Sequence, residues 1–322
     1  MANERDGRDT GDVRDHTGLT RSLVADPALG PLRGLLLMLT VVTGVVDAVS
    51  ILALGRVFVA NMTGNVVFAA FALVGAPGFS LSASLFALAG FLVGAYFGGA
   101  LISRLGHDRG LLLRAGGAAE LACAAVALVV AATSGDPGVT HGTIGLAGGE
   151  FGAAVTDAIA ALLAIALGVQ NAVARRLAVP DMTTTVLTMT LTGVGADLLA
   201  VFGDRPRAKA RAPVFALRSE GARNERPSDE GENRGPERAE ASGKTARVRG
   251  SARGAARSAL GRRLLAVAAM IVGALAGASL TLRVSPLSGL VLAAALLAVV
   301  TAWVALATRR PASWRAFPAE KR

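Results

Sequence analysis

One carboxylate stands in an apolar run long enough to cross a bilayer. Asp47 lies in GLLLMLTVVTGVVDAVSILAL, residues 34–54, which carries no other charge. An ionised carboxylate at that depth costs about 2.5–3.5 kcal/mol on insertion scales unless it is paired or faces water. Two roles answer that cost: a protonatable group lining a polar cavity, or a structural carboxylate hydrogen-bonded to the polar segment beside it. That segment is FVANMTGNVVFAAFALVG, Phe58–Gly75, where Asn61, Thr63, Gly64 and Asn65 precede an apolar stretch. Asn and Thr supply both donors and acceptors, which non-helical backbone at membrane depth needs. A second set is Gln170 and Asn171 in GVQNAVARRL, followed by Asp181, Met182, Thr183, Thr184 and Thr185 ahead of an apolar helix with Thr188, Thr190 and Thr192. The candidate solute contacts are therefore Asp47, Asn61, Thr63, Gly64, Asn65, Gln170, Asn171, Thr183 and Thr184, with Asp47 as the carboxylate for any coupled proton. A half-helix starting at mid-membrane also aims its free amides and positive end into such a site, which favours an anionic or carbonyl-bearing solute. The alternative is that these residues only cap helix starts and satisfy backbone.

Other chemistries lack their residues. Cys123 is the one cysteine and histidines 16, 107 and 141 are scattered, so no disulfide and no metal cluster is expected. No HExxH, GxSxG, Walker A or CxxC pattern occurs, and neither an enzymatic reaction nor a cofactor is expected. Asp157, Asp197, Glu120 and Glu150 lie in or near apolar runs and are lesser candidates.

The elements that must position these residues are membrane helices. The chain has 322 residues, of which 52% are hydrophobic and 17% charged, with mean hydropathy +0.52. Soluble domains carry about 25% charged residues. The net charge of +10 reads as topology signal and attraction to anionic lipid heads and not as nucleic-acid binding. Spans of bilayer length are expected at about 34–54, 81–102, 111–132, 151–174, 263–282 and 287–308, with shorter segments at 58–75 and 182–203. Residues 1–30, 204–262 and 309–322 read as cytoplasmic tails and insert, the first two disordered.

Orientation follows from the arginines. The N-terminal tail, the 103–114 loop, Arg175–Arg176, the insert and the C-terminal tail are basic, whereas the 133–150 loop has no Lys or Arg. If all eight apolar segments crossed, basic and uncharged loops would repeatedly fall on the wrong sides. Six spans plus two re-entrant segments put every strongly basic stretch in the cytoplasm, with both termini there.

The sequence also repeats. GVVDAV (44–49) parallels GVQNAV (168–173), NMTGNVV (61–67) parallels DMTTTVL (181–187), and FLVGAYFGGAL (91–101) parallels MIVGALAGASL (270–280). The offsets are 124, 120 and 179 residues, the last step matching the charged insert. Two units, about 34–132 and 151–308, are expected within a membrane domain of 31–308. Three crossings per unit place the second upside down, an arrangement of transporters with a central site. Gly90, Gly94 and Gly98, and Gly273 and Gly277, are spaced for close helix packing in lipid.

At ANMTGN and GVQNAVARRL…TTTVLTMTLTG the chain resembles the YoaK-like family of bacterial integral membrane proteins. The matching motifs are Gly44–Asp47, Phe58–Asn65, Gly168–Arg176 and Thr183–Gly193, in order, over roughly 34–203 and 263–308. Met189 stands where the pattern leads one to expect glycine. The resemblance implies about six membrane helices and supplies no substrate. The expected fold is thus all-α and polytopic in the bacterial inner membrane. The expected function is a secondary transporter or permease for a small polar or anionic solute. The alternative is a non-transporting scaffold or sensor whose charged insert docks a partner or anionic lipid.

Overall fold

The computed structural model describes residues 29–134, 151–179, 187–202, 235–309 and 312–317. Eight α-helices lie in them: α1 Leu32–Ala53, α2 Met62–Leu73, α3 Leu81–Leu105, α4 Arg109–Thr133, α5 Ala153–Leu177, α6 Leu187–Phe202, α7 Gly235–Arg283 and α8 Pro286–Ala307. Six are long and apolar enough to cross a membrane: α1, α3, α4, α5, α8 and the Gly254–Arg283 part of α7. At 1.5 Å per residue the 22 residues of α1 reach about 33 Å, whereas the 12 of α2 reach about 18 Å, short of a ~30 Å hydrocarbon core. The chain is an all-α polytopic membrane protein. Its outward side chains agree, since Leu92, Tyr96, Val129, Ile271, Leu275 and Val299 are exposed on spanning helices.

Helix starts follow from their capping residues. Ser80 accepts from the amide of Ala83 at 3.2 Å, Asp108 from Gly110 at 2.8 Å and Leu111 at 3.0 Å, and Ser285 from Ser288 at 3.3 Å with Pro286 opening the helix. Each oxygen satisfies amides that the first turn leaves without a helical partner.

Two expectations need correction. The polar residues read as non-helical backbone ahead of the apolar stretch are largely helical: the helix begins at Met62, so Thr63, Gly64 and Asn65 belong to its first turn. The segment 204–262 is also not without regular structure throughout. Residues 235–262 are the N-terminal part of α7. Ala, Arg and Glu in that stretch are good helix formers, and a helix extending an existing span needs no new nucleus. The tail 1–28, the loop 135–150 with Glu150, the tip 180–186, the insert 203–234 and residues 318–322 lie outside the described residues.

The described residues divide into two compact units, Met1–Leu191 with Gly261–Arg322, and Thr192–Leu260. The second holds the C-terminal part of α6 and the N-terminal part of α7. In the first, α1 and α5 are the most buried spans, and they carry Asp47 and Gln170. Around them α3 packs on α5, α4 on α5 and α8, and α1 on α8.

Residues 312–317 fasten one end of this unit. Arg315 pairs with both carboxylate oxygens of Asp108 and donates to the Thr308 carbonyl at 3.2 Å. Trp314 is buried and covers Gly30 and Gly110, where a Cβ would collide with its ring or crowd it. The Phe317 ring lies under the guanidinium groups of Arg109 and Arg176, at 4.9 and 4.5 Å. Arg176 also donates to the Gly106 carbonyl at 3.3 Å. The start of α1, the α3–α4 turn and the ends of α5 and α8 are thereby gathered at one end of the unit.

Burial pushes the Asp108 carboxyl up, but Arg315 and the amides of Leu111 and Gly110 outweigh it and hold the group below its ordinary value. A lowered native pKa adds stability above the unfolded value of ~3.9, lost as pH falls through the native one. Acidification below about pH 4 should therefore release the 312–317 segment. A red shift of Trp314 fluorescence in a Trp303→Phe background should report it. Asp108→Asn should show the released spectrum without that acid step.

Candidate functional site

Asp47 follows Thr43 by one helical turn on α1, so both side chains lie along one helix face. Thr43 donates to the Leu39 carbonyl at 3.0 Å and accepts from Gln170 Nε2 of α5 at 3.0 Å. This is a polar bridge between the two most buried spans. Ser50, a turn further along, donates to the Asp47 carbonyl at 3.0 Å. The backbone amide of Ala60 lies near enough to interact with the Asp47 carboxylate, which brings the loop before α2 to the acid. Asp47 is 9% and Gln170 1% exposed. The buried Oδ1 of Asp47 and Oε1 of Gln170 have no hydrogen-bond partner. A buried acceptor left unsatisfied costs about 1–3 kcal/mol, so this region calls for a molecule or proton that donates.

The Phe58–Asn65 motif has its own geometry. Asn65 is fully buried. Its Oδ1 accepts from the Phe58 amide at 2.8 Å and its Nδ2 donates to the Phe58 carbonyl at 2.5 Å. The side-chain amide thus pairs with one residue's backbone as a neighbouring strand would. Gly64 leaves room for the Phe58 ring, since a Cβ there would lie within 3 Å of two ring carbons. Phe58 in turn stacks on Phe68, with centroids 5.4 Å apart. Asn61 stands at the N-cap of α2 without a side-chain capping bond, and both it and Thr63 are exposed. Asn65→Ala removes both bonds and strands two backbone groups. We expect it to cost about 2–4 kcal/mol, read as a lowered melting temperature in detergent, while Thr63→Ala stays near wild type.

Asn171 is half-buried and donates to the Leu167 carbonyl at 2.9 Å. Thr183 and Thr184 lie outside the described residues, so the structure gathers Asp47, Gln170 and the loop before α2 but leaves the second tip open.

Comparison with known proteins fits this architecture. Residues 35–303 match the model of a family described as protein of unknown function (DUF1275). The chain belongs to this family. It is similar to the transmembrane protein YoaK of Bacillus subtilis (strain 168), 30% identical over 166 residues. That alignment spans 51% of this chain and 66% of the relative's length. No solved structure matches.

The family match encloses the glycine-striped helices, most of whose glycines face the backbone of the neighbouring helix. A Cβ on Gly90 or Gly94 of α3 would lie within 3 Å of the carbonyl oxygens of Ala161 or Ile165 on α5, and one on Gly98 within 3 Å of the Ala172 Cβ. Gly273 and Gly277 of α7 approach Val41 and Val45 of α1 in the same way. Gly44 on α1 and Gly168 on α5 face back, toward Met270 and Ala274 of α7 and Phe91 and Ala95 of α3 respectively.

Sequence reasoning missed Thr43 and the Ala60 amide. The first was reachable, because Thr43 precedes Asp47 by four residues on a helix; the second depends on how the loop folds back. Of the lesser candidates, Glu120 on α4 is 2% exposed with Oε2 lacking a partner, while Asp157 accepts from Ser82 at 3.2 Å. Among the described residues no group of His, Cys, Asp and Glu could hold a metal ion.

Proposed function

We propose that the chain is a secondary transporter or permease for a small polar solute, with its site between α1 and α5 and Asp47 as the proton-carrying group. The observation that carries this reading is the pair of buried, unsatisfied acceptors, Asp47 Oδ1 and Gln170 Oε1, on the two most buried spans. Acceptors favour a solute that brings hydroxyl or amine donors. An anionic solute would have to use the amide ends of α2 and α6 instead.

The reading includes an inverted repeat. Gly44 with Met270 and Ala274, and Gly168 with Phe91 and Ala95, are related by the same offsets of 124 and 179 residues as the sequence repeats. So are Gly273 with Val41 and Gly94 with Ile165. The α1–α7 and α3–α5 crossings are then two copies of one contact. The ends gathered around Trp314 support re-entry of both short helices. With the start of α1 and the end of α3 on one face, the chain from 54 to 80 leaves and returns on the other. By the same parity the chain between α5 and the spanning part of α7 leaves and returns on the Trp314 face. That face carries Arg104, Arg109, Arg175 and Arg176 and is assigned to the cytoplasm. Single cysteines at 76–79, in a Cys123→Ala background, should react with an impermeant maleimide from outside intact cells. Labelling only from the cytoplasm would exclude re-entry of α2.

Function itself is tested by comparing metabolites of deletion and overexpression strains, then measuring uptake of the responding solute into proteoliposomes. The docking alternative draws support from the reach of α7, whose residues 235–253 precede its span. Deleting 204–253 leaves uptake intact under the transport reading, whereas under the docking reading it abolishes the phenotype.

A further inference from the structure

Asp47 and Glu120 are the two buried carboxylates among the described residues, and the α1–α5 site leaves Glu120 unused. Glu120 stands on α4 with its Oε2 lacking a hydrogen-bond partner. The turn before it fixes its neighbours. A Cβ on Gly116 would touch the Val173 side chain of α5, and one on Gly117 would lie 3.1 Å from the Thr301 hydroxyl of α8. Glu120 follows these glycines by four and three residues, so it continues both lines of contact. Arg176, near the end of α5, reaches the turn before α4, so α4 and α5 run antiparallel. One turn on from Gly116 therefore stands opposite one turn back from Val173. That is the level of Gln170, whose Oε1 also lacks a partner.

Nothing opposite neutralises the acid. On α3 and α5, which pack against α4, the charged residues are Arg104, Asp157, Arg175 and Arg176, each in the turn or two at a helix end, and α8 has none. On α4 itself Arg109 and Arg114 stand in the first two turns, and the Cys123 thiol lies one turn beyond Glu120. Tyr96 of α3 is exposed, and Arg315 is committed to Asp108. An ionised carboxylate is costly in such a setting, whereas a carboxylic acid supplies an O–H donor.

Thr301 completes a series. Counted at about 1.5 Å per residue from the helix ends gathered around Trp314, Thr301 lies about 9 Å, Glu120 about 17 Å and Asp47 about 23 Å along its own helix. The buried Thr301 Oγ1 has no partner either. Polar groups with unspent hydrogen-bonding capacity thus lead from Asp47 toward the face assigned to the cytoplasm.

We propose that Glu120 is the second proton carrier of this protein, moving the coupled proton from the α1–α5 site to the cytoplasmic face. This rests on the transport reading, with Asp47 as the first carrier. In each cycle the Glu120 acid gives its proton to water on the cytoplasmic side and becomes a carboxylate. Asp47, protonated from the other side, then passes its proton through water in the emptied site to Glu120 and is itself a carboxylate again. One proton crosses, and no electron moves.

The first test is infrared spectroscopy of the purified full chain with D2O as the probe. The carbonyl stretch of a protonated Glu120 should be present, shift promptly on transfer from H2O to D2O, and be missing from Glu120→Gln. Glu120→Asp should keep an exchanging band at a moved frequency, so the assignment does not depend on one variant. A spectrum that both variants leave unchanged overturns the proposal, as does a Glu120 band that stays unshifted, the mark of a sealed structural acid. The second test uses proteoliposomes and the solute that the metabolite comparison identifies. Glu120→Gln mimics the protonated acid and should lower net proton-coupled uptake about a hundredfold, the low end for losing a positioned proton-transfer group. Exchange of labelled external for unlabelled internal solute needs no proton release and should continue near the wild-type rate. Loss of both activities in the folded variant, or of neither, overturns the proposal. Absence of uptake by the wild type counts instead against the transport reading, which the infrared test does not use.

Discussion

Asp47→Asn is expected to reduce coupled uptake in proteoliposomes to the level of empty vesicles while the protein stays folded. Asparagine keeps the size of the side chain and an acceptor for the Ala60 amide, but it cannot take up and release a proton. Under the proposed repeat Asn171 occupies the position matching Asp47 at the 124-residue offset, so the change is expected to suit the architecture. An aspartate at a helix centre costs about 2.5–3.5 kcal/mol to insert, so the variant should melt at or above the wild-type temperature. Loss of uptake with retained melting assigns Asp47 to transport. Undiminished uptake removes it from the mechanism, and a collapsed melting temperature makes it structural. Gln170→Leu serves as the companion: it deletes the bridge to Thr43 and one unsatisfied acceptor, and should weaken solute affinity with proton movement less affected.

The second large effect concerns the two crossings. Gly94→Leu should destabilise the protein by about 3 kcal/mol, the upper end for overpacking. A Cβ at Gly94 would run into the backbone carbonyl of Ile165, and backbone cannot rotate aside as a side chain does. Gly273→Leu should cost a similar amount, because its Cβ would meet the Val41 carbonyl in the same manner. Gly99 on the same α3 helix has nothing within 4 Å of its Cβ position. Gly99→Ala should therefore be neutral or stabilising by up to about 1 kcal/mol, the helix-propensity difference. Thermal unfolding in detergent separates these outcomes. Unequal costs at Gly94 and Gly273 would count against the two crossings being copies of one contact.

How much of this was legible in the chain depends on the range of the signal. The six spans were legible because bilayer thickness imposes a length that hydropathy alone reveals. Asp47 and Gln170 stood out because polar groups are costly there. The bridge through Thr43 lay within reach of helix periodicity, four residues before Asp47. The start of α2 was misread because Asn65, read as part of a polar tip, instead bonds back to Phe58 from inside the helix. The N-terminal part of α7 was misread because charge and low hydropathy were taken to exclude regular structure, although a helix joined to a span is already nucleated. Nothing local announced that Arg315 would meet Asp108, 207 residues away in sequence. Such pairings arise only when spans are laid side by side.

The 312–317 segment bears on how the molecule is made. Synthesis proceeds at about 5–20 residues per second, so Gly30, the α3–α4 turn and the end of α5 emerge well before the tryptophan that covers two of their glycines. Until Trp314 arrives, Gly30 and Gly110 lack the ring that covers both of them. Its docking then acts as a late latch, closing over α1, α3, α4, α5 and α8 only once α8 has been threaded. Chains stopped before residue 312 would keep their six spans yet present an unlatched face to quality-control proteases.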